Sequence, residues 1–186
     1  MTTGRDDAPS AWIARFAALV PAGAQVLDVA AGHGRHARLF ASRGALVVAV
    51  DVDANALADL AGVPGVTCRV ADLEGDRWPF ADAAFDAIVV ANYLHRPALA
   101  HLLAALKPDG VLLYETFAVG NERFGRPSNP AFLLREGELL DVVRERLSIV
   151  AFEQGRNDQR RVAVVQRIAA VGRARPWPPS LPAPTS

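Results

Sequence analysis

The chain has a single cysteine, Cys68, and a single lysine, Lys107, among 186 residues. One cysteine excludes an intrachain disulfide framework. The opening MTTGRDDAPS is polar and has no charged-then-apolar leader, and together these features predict a cytoplasmic protein. No apolar run approaches the roughly 20 residues that a membrane-crossing helix needs. The longest runs, around 45–50 and 87–91, are strand-sized. Charge bias is also missing: Lys+Arg and Asp+Glu are both 20, so no overall field draws the chain to nucleic acid or a membrane, and a small or neutral substrate is favoured. The near-absence of lysine reflects composition and has no functional weight. What remains is ordinary globular material, 51% apolar and 22% charged, enough for one well-buried domain over 1–172 and too little for two. Cys68 falls in a strand-like segment and is expected to be a small buried residue.

The most informative stretch is Val26 to Ala37, VLDVAAGHGRHA: a short apolar strand, an aspartate, a glycine-rich turn and a helix. Gly32 and Gly34 permit positive φ and close backbone approach to a ligand, and the helix start offers unpaired N–H groups. Asp28 precedes the glycines, where a dinucleotide fold would bring in a pyrophosphate. A carboxylate there repels phosphate and attracts a cation, so the expected ligand is a nucleoside with positive charge and no phosphate.

The rest of the chain alternates strands and helices. A helix capped by Ser10 is expected through about Leu19, with strands at Gln25 to Asp28 and Ala45 to Asp51 and a helix from Arg35 to Arg43 between them. Asp53 caps a helix to about Ala61, followed by strands at Val66 to Val70 and Phe85 to Ala91. Pro97 opens a helix to Leu106, Lys107 to Gly110 is a turn, and Val111 to Thr116 is a fifth strand. Apolar strands alternating with helices predict an α/β, doubly wound, mostly parallel sheet covered on both faces. Ligands of such sheets bind beyond the carboxyl ends of the strands, where Asp28, Asp51, Asp72, Asn92 and Glu115 fall. Residues 117–129 read as a loop near that end, and Pro130 to Leu134 as partly helical. A helix from Gly137 to Arg146 then leads to strands at Leu147 to Phe152 and Arg160 to Arg167 that must run antiparallel. From Arg173 the chain is proline-rich and reads as a loosely attached tail.

These residues together resemble a class I S-adenosylmethionine-dependent methyltransferase, with a seven-stranded sheet and an antiparallel C-terminal hairpin. The family turn reads approximately D/E-x-G-x-G-x-G; here it is Asp28-x-Ala30-x-Gly32-x-Gly34, and Ala30 permits the turn if its φ stays negative. The resemblance implies that Asp28 orients the methionine amino group while Ala30 and Gly32 lie against the methionine part. It implies that Asp51 takes both ribose hydroxyls and Val52 packs on adenine. Asp72 and the Leu73 N–H would then read the adenine edge, with Asn92 near the sulfonium and Tyr93 close by. LKPDG before the fifth strand strengthens it, and GHGRHA suggests small bacterial methyltransferases of the tellurite-resistance type. The implied cofactor is S-adenosyl-L-methionine and the implied partner a small-molecule acceptor.

Methyl transfer is an in-line displacement at an activated sulfonium, so positioning and desolvation dominate and no catalytic residue is obligatory. If the acceptor must lose a proton, His95 is the best-placed base, with Glu115 a second and Tyr93 a wall or donor. Against this, His95 can merely cap the following helix and Tyr93 can merely pack. Arg123 and Arg126 can clamp an anionic acceptor or stand solvated. His36 and His101 have no metal-ligand spacing, so no metal is expected. The C-terminal arginines lack interleaved aromatics and read as a solvated edge rather than an RNA surface. A non-catalytic S-adenosylmethionine-binding protein and an NAD-type oxidoreductase remain as alternatives; Asp28 and the terminal hairpin disfavour the second.

Overall fold

The computed structural model describes residues 8–75, 77–158 and 162–183. Strands β1 (Gln25–Val29), β2 (Leu46–Asp51), β3 (Val66–Val70), β4 (Phe85–Ala91), β5 (Leu106–Phe117), β6 (Leu147–Asn157) and β7 (Ala163–Gly172) form one sheet of order β3-β2-β1-β4-β5-β7-β6. β1 to β5 are parallel, and β7 runs antiparallel to both β5 and β6. Strand order reverses between β1 and β4, so a crevice opens at their carboxyl ends.

Side chains alternate across each strand, so the sheet feeds two cores. Val26, Val47, Val89, Leu113 and Val171 pack under the first three helices, α1 (Ala11–Phe16), α2 (Arg35–Ser42) and α3 (Ala54–Ala58). Leu27, Val29, Ile88, Val90, Leu112 and Ile168 face the other way, under α4 (Ala98–Ala105) and α5 (Glu138–Val143). Local chemistry sets the helix starts: the Ser10 hydroxyl accepts from the Ile13 N–H, and the Asp53 carboxylate accepts from those of Asn55 and Ala56. Gly34 opens α2 at φ +76, and a Cβ there would lie 2.3 Å from the Leu60 side chain. Glycine is required at that position for both reasons.

Several expectations are corrected. Cys68 is exposed because β3 is an edge strand, even though its side chain lies on the α3 side of the sheet, where Sγ donates to the Leu57 carbonyl at 3.6 Å. On the face of β3 opposite α3, which carries Arg69, the described residues between β3 and β4 include no helix, and the sheet is bare there. The expected turn at Lys107 to Gly110 lies within β5: Phe85 pairs with Leu106 and Ala87 with Val111, and the intervening residues bulge out. Lys107 Nζ holds that bulge by donating to Asp86 Oδ1 at 2.7 Å, while the Gln25 N–H donates to Asp86 Oδ2 at 2.8 Å. The terminal hairpin is longer than expected, with β6 continuing to Asn157 and β7 spanning Ala163–Gly172. The expected strand start at Arg160 and Arg161 lies outside the described residues. Helices α3 and α5 are shorter than their patterns suggest, each ending after less than two turns. The proline-rich segment lies against the N-terminal helical segment, with Arg15 Nε donating to the Pro182 carbonyl at 3.4 Å and Arg175 Nη2 to that of Leu19 at 2.6 Å. Among the described residues no helix is long and apolar enough to cross a membrane.

Candidate functional site

The turn after β1 is pinned to the end of β2. The Ala31 N–H donates to the Val50 carbonyl at 3.0 Å, and the Gly32 N–H donates to Asp51 Oδ2 at 2.8 Å. The other oxygen, Asp51 Oδ1, accepts from the Asp53 N–H at 2.9 Å. Each oxygen keeps a second acceptor direction free of these backbone bonds. Ala30 has φ +51, contrary to the expectation of a negative value. The turn has kept its left-handed geometry without the glycine, at a cost of roughly 1–2 kcal/mol.

Beside this turn lies a cavity of about 450 Å³, lined by Ala30, Asp51, Val52, Ala71, Asp72, Leu73, Glu74 and Tyr93. Five of the eight residues read from sequence as ligand-binding line it, and Gly32 stands one hydrogen bond away through Asp51. Asp72 Oδ1 accepts from the Glu74 N–H at 2.9 Å, fixing the loop that carries both carboxylates. Val52 is 68% exposed, an apolar side chain standing free at the rim. Among the described residues three carboxylates line the cavity and no cationic side chain does. Sequence reasoning missed Ala71 and Glu74; their position directly after β3 was the one available signal.

Asp28 is 1% exposed and does not line the cavity. On β1 it shares a face with Val26, so it points under α2, and its Oδ2 has no hydrogen-bond partner. Burial pushes its pKa up to about 7, against the opposing pull of the Ala37 N–H and the Arg35 guanidinium. Asn92 is exposed, has φ +58 and also lies off the cavity wall, its N–H donating to the Glu115 carbonyl at 2.9 Å.

Tyr93 presents a buried hydroxyl with no partner. Burial first, then the charges of Glu74, Asp72 and Asp51, push its pKa up to about 12, so it is a neutral donor. Its backbone carbonyl accepts from the Tyr114 hydroxyl at 2.9 Å. His95 does not line the cavity, but its Nδ1 lies 3.9 Å from Oε2 of Glu74, which does. It does not cap α4 through its side chain; its carbonyl accepts from the Ala98 N–H.

Glu115 is not free: its Oε2 lies 3.3 Å from Arg167 Nη1. Arg167 also pairs with Glu153 at 3.2 Å and lies 5.6 Å from the Trp12 ring centre. Arg123 is 80% exposed and Arg126 is also exposed, and neither lines the cavity. His36 has a structural place: the Ser10 N–H donates to Nε2 at 3.1 Å, tying the start of α1 to α2. Burial, helped by Arg35, depresses its pKa to about 3, so the ring is the neutral acceptor this bond needs. Among the described residues no group of three or more His, Cys, Asp or Glu is placed to hold a metal ion.

With this geometry in view, residues 26–110 match the family described as "Methyltransferase domain". The chain is 35% identical over 146 residues to a demethylmenaquinone methyltransferase of Parafrankia sp., covering 66% of this chain and 57% of that one. It thus spans little more than half the length of that curated relative. Among solved structures it is similar to the 1,6-didemethyltoxoflavin-N1-methyltransferase of Burkholderia thailandensis, at TM-score 0.65 and 24% identity over 91% of this chain and 80% of that one. That structure holds 1,6-didemethyltoxoflavin and S-adenosylhomocysteine. A TehB-like SAM-dependent methyltransferase from Corynebacterium glutamicum gives TM-score 0.63 and 22% identity over 91% and 90% of the two chains. At such identities the structures speak for the fold.

Proposed function

We propose, from the premise that this chain carries a methyltransferase domain on the class I fold, that it binds S-adenosylmethionine beyond β1, β2 and β3 and passes the methyl group to a small-molecule acceptor. The observation that carries the reading is the cavity itself: three carboxylates with no cation among its described lining side chains, and, under the neighbouring glycine turn, a buried Asp28 oxygen left without a partner. Such a donor-poor, acceptor-rich site suits a nucleoside with hydroxyls and positive charge, and disfavours a pyrophosphate. The residues fit the group. Asp51 has one acceptor direction left on each oxygen for the ribose hydroxyls. Val52 and Leu73 offer apolar surface for adenine, and Asp72 Oδ2 and the Leu73 N–H offer its edge an acceptor and a donor. Ala30 and Gly32 border the methionine part, and Asp28 supplies charge for its ammonium.

When bound, the sulfonium supplies the activated methyl; the chain supplies placement and exclusion of water. Tyr93 donates from a buried hydroxyl, and His95, held near Glu74, can take a proton from an acceptor that must lose one. Glu115 could serve as a base only by breaking its pair with Arg167. The relative and the neighbour named for particular acceptors are named for small molecules, which supports an acceptor of that size. A cytoplasmic setting fits an unpaired, exposed Cys68.

Calorimetry with S-adenosylhomocysteine, followed by a radiolabelled methyl-transfer screen against metabolites and macromolecules, tests the proposal. Saturable binding and a labelled small product are expected. Binding of NADH with none of S-adenosylhomocysteine would sink it, and binding without transfer to any acceptor would favour a non-catalytic binding protein.

A further inference from the structure

A second concavity lies on the other side of the loop that follows β3. Residues 72–74 of this loop line the cavity described above, and residues 77–80 turn the opposite way. There, with Arg69 of β3, they line a groove of about 530 Å³. Its described lining residues are Arg69, Arg77, Trp78, Pro79 and Phe80, so the charged groups among them are two guanidiniums, donors only. Among the described residues no carboxylate lines it. Neither arginine has an ion-pair or hydrogen-bond partner among the described residues. Trp78 Nε1 is buried and likewise unsatisfied.

Among the described residues no helix joins β3 to β4, which leaves room for the groove, and it is built on an aromatic stack. Trp78 stacks on His101 of α4 with centroids 5.9 Å apart and planes inclined 12°. Phe80 meets Trp78 edge-on at 5.5 Å and Phe85 at 5.4 Å. The Arg69 guanidinium sits 4.9 Å from the centre of the Phe80 ring, so its fork is partly ordered before any ligand arrives.

We propose that this groove binds a phosphate-bearing small molecule through Arg69 and Arg77. Two guanidinium forks match an oxyanion with several acceptor oxygens, and the volume is that of a small-ligand site. A nucleic-acid strand fits less well. One face of Trp78 is taken by His101 and one face of Phe80 by Arg69, which removes the paired stacking surfaces that strand binding uses, and the whole chain has no net charge. The proposal stands whether or not the methyl-transfer reading holds.

The test is a titration of the full chain with inorganic pyrophosphate at low salt, followed by calorimetry and tryptophan fluorescence. Saturable binding is expected, weakened about tenfold by each of Arg69→Gln and Arg77→Gln with thermal melting unchanged. Trp78→Phe should keep the heat of binding and lose most of the fluorescence change. The exposed Arg146→Gln should change nothing, and equal weakening by it would mean non-specific anion binding and overturn the proposal. So would the absence of saturable binding, or binding that survives both groove substitutions. A single-stranded oligonucleotide that binds through Arg69 and Arg77 while pyrophosphate does not would overturn it in favour of a nucleic-acid surface.

Discussion

Asp28→Asn should stabilise the ligand-free protein at alkaline pH while weakening its hold on the cofactor. Burial raises the Asp28 pKa from 3.8 to about 7. Because the folded value lies above the unfolded one, the contribution of Asp28 to stability is complete below pH 3.8 and is lost as pH rises through about 7. At about 1.36 kcal/mol per unit, a shift of about three units makes the ionised carboxylate cost about 4 kcal/mol at pH 8. Asparagine removes that charge and keeps an oxygen for the Ala37 N–H, but leaves a buried NH₂ unpaired at about 1–3 kcal/mol. The net gain expected at pH 8 is therefore about 1–3 kcal/mol. It should shrink, then reverse, as pH falls toward 4. His36, whose depressed pKa makes it lose stability as pH falls below 6.5, is present in both chains and cancels in the difference. Urea unfolding of both proteins at pH 8 and pH 4.5 measures the effect. Calorimetry with S-adenosylhomocysteine at pH 7 should show weaker binding, because the buried charge that acts on the ligand's ammonium through the turn is gone. A variant that is less stable than the parent by the same amount at both pH values would refute the reasoning, because it would mean Asp28 is not held against its charge.

Asp51→Ala should weaken S-adenosylhomocysteine binding by about 1.5–3 kcal/mol in calorimetry, since it removes a two-oxygen acceptor and frees the Gly32 and Asp53 N–H groups it holds; unchanged affinity would refute its role. Ala30→Gly should raise stability by about 1 kcal/mol in urea unfolding, because φ +51 strains alanine and not glycine; a loss would contradict the left-handed turn. Arg96→Ala should cost about 3–5 kcal/mol. It strips Glu138, 4% exposed, of bonds at 2.7 and 2.9 Å and also releases the Ala131 and Leu133 carbonyls. A loss under about 1 kcal/mol would show that Glu138 is solvated or protonated instead.

The parallel half of the sheet was legible because its strands are continuous apolar runs ending in acids, and the limits of β3 and β4 agree with those read from the chain. The hairpin ends were not, because Glu153, Gln154 and Arg156 lie on exposed strand positions and read locally as loop. The exposure of Cys68 follows from the place of β3 at the sheet edge, which is not a property of the VTCRV segment itself. The site divides in the same way. Acids at strand ends can be found by inspection, but the direction each faces depends on alternation along the strand. Val26 packs under α1 and α2, and Asp28, two residues on, must point the same way. Asp51 alternates with Val47 and Ala49 onto that same face, so alternation alone does not separate the two acids; depth does, since Asp28 pairs with Ala49, two residues short of Asp51 at the strand end where the cavity lies.

Balanced totals of 20 acidic and 20 basic residues exclude a strong long-range field, and that conclusion stands. They set no limit on what happens within a Debye length of about 8 Å. Along the single loop after β3, Asp72 and Glu74 turn to one cavity and Arg77 to another, which Arg69 of β3 completes. The aromatic stack of Trp78, Phe80 and Phe85 braces the second of these. Each concavity therefore presents one sign of charge to whatever enters it, and the two signs cancel only when summed over the chain. The composition is right about encounter rates and silent about ligands: recognition here is decided by which way consecutive side chains of one helix-free connection are made to face.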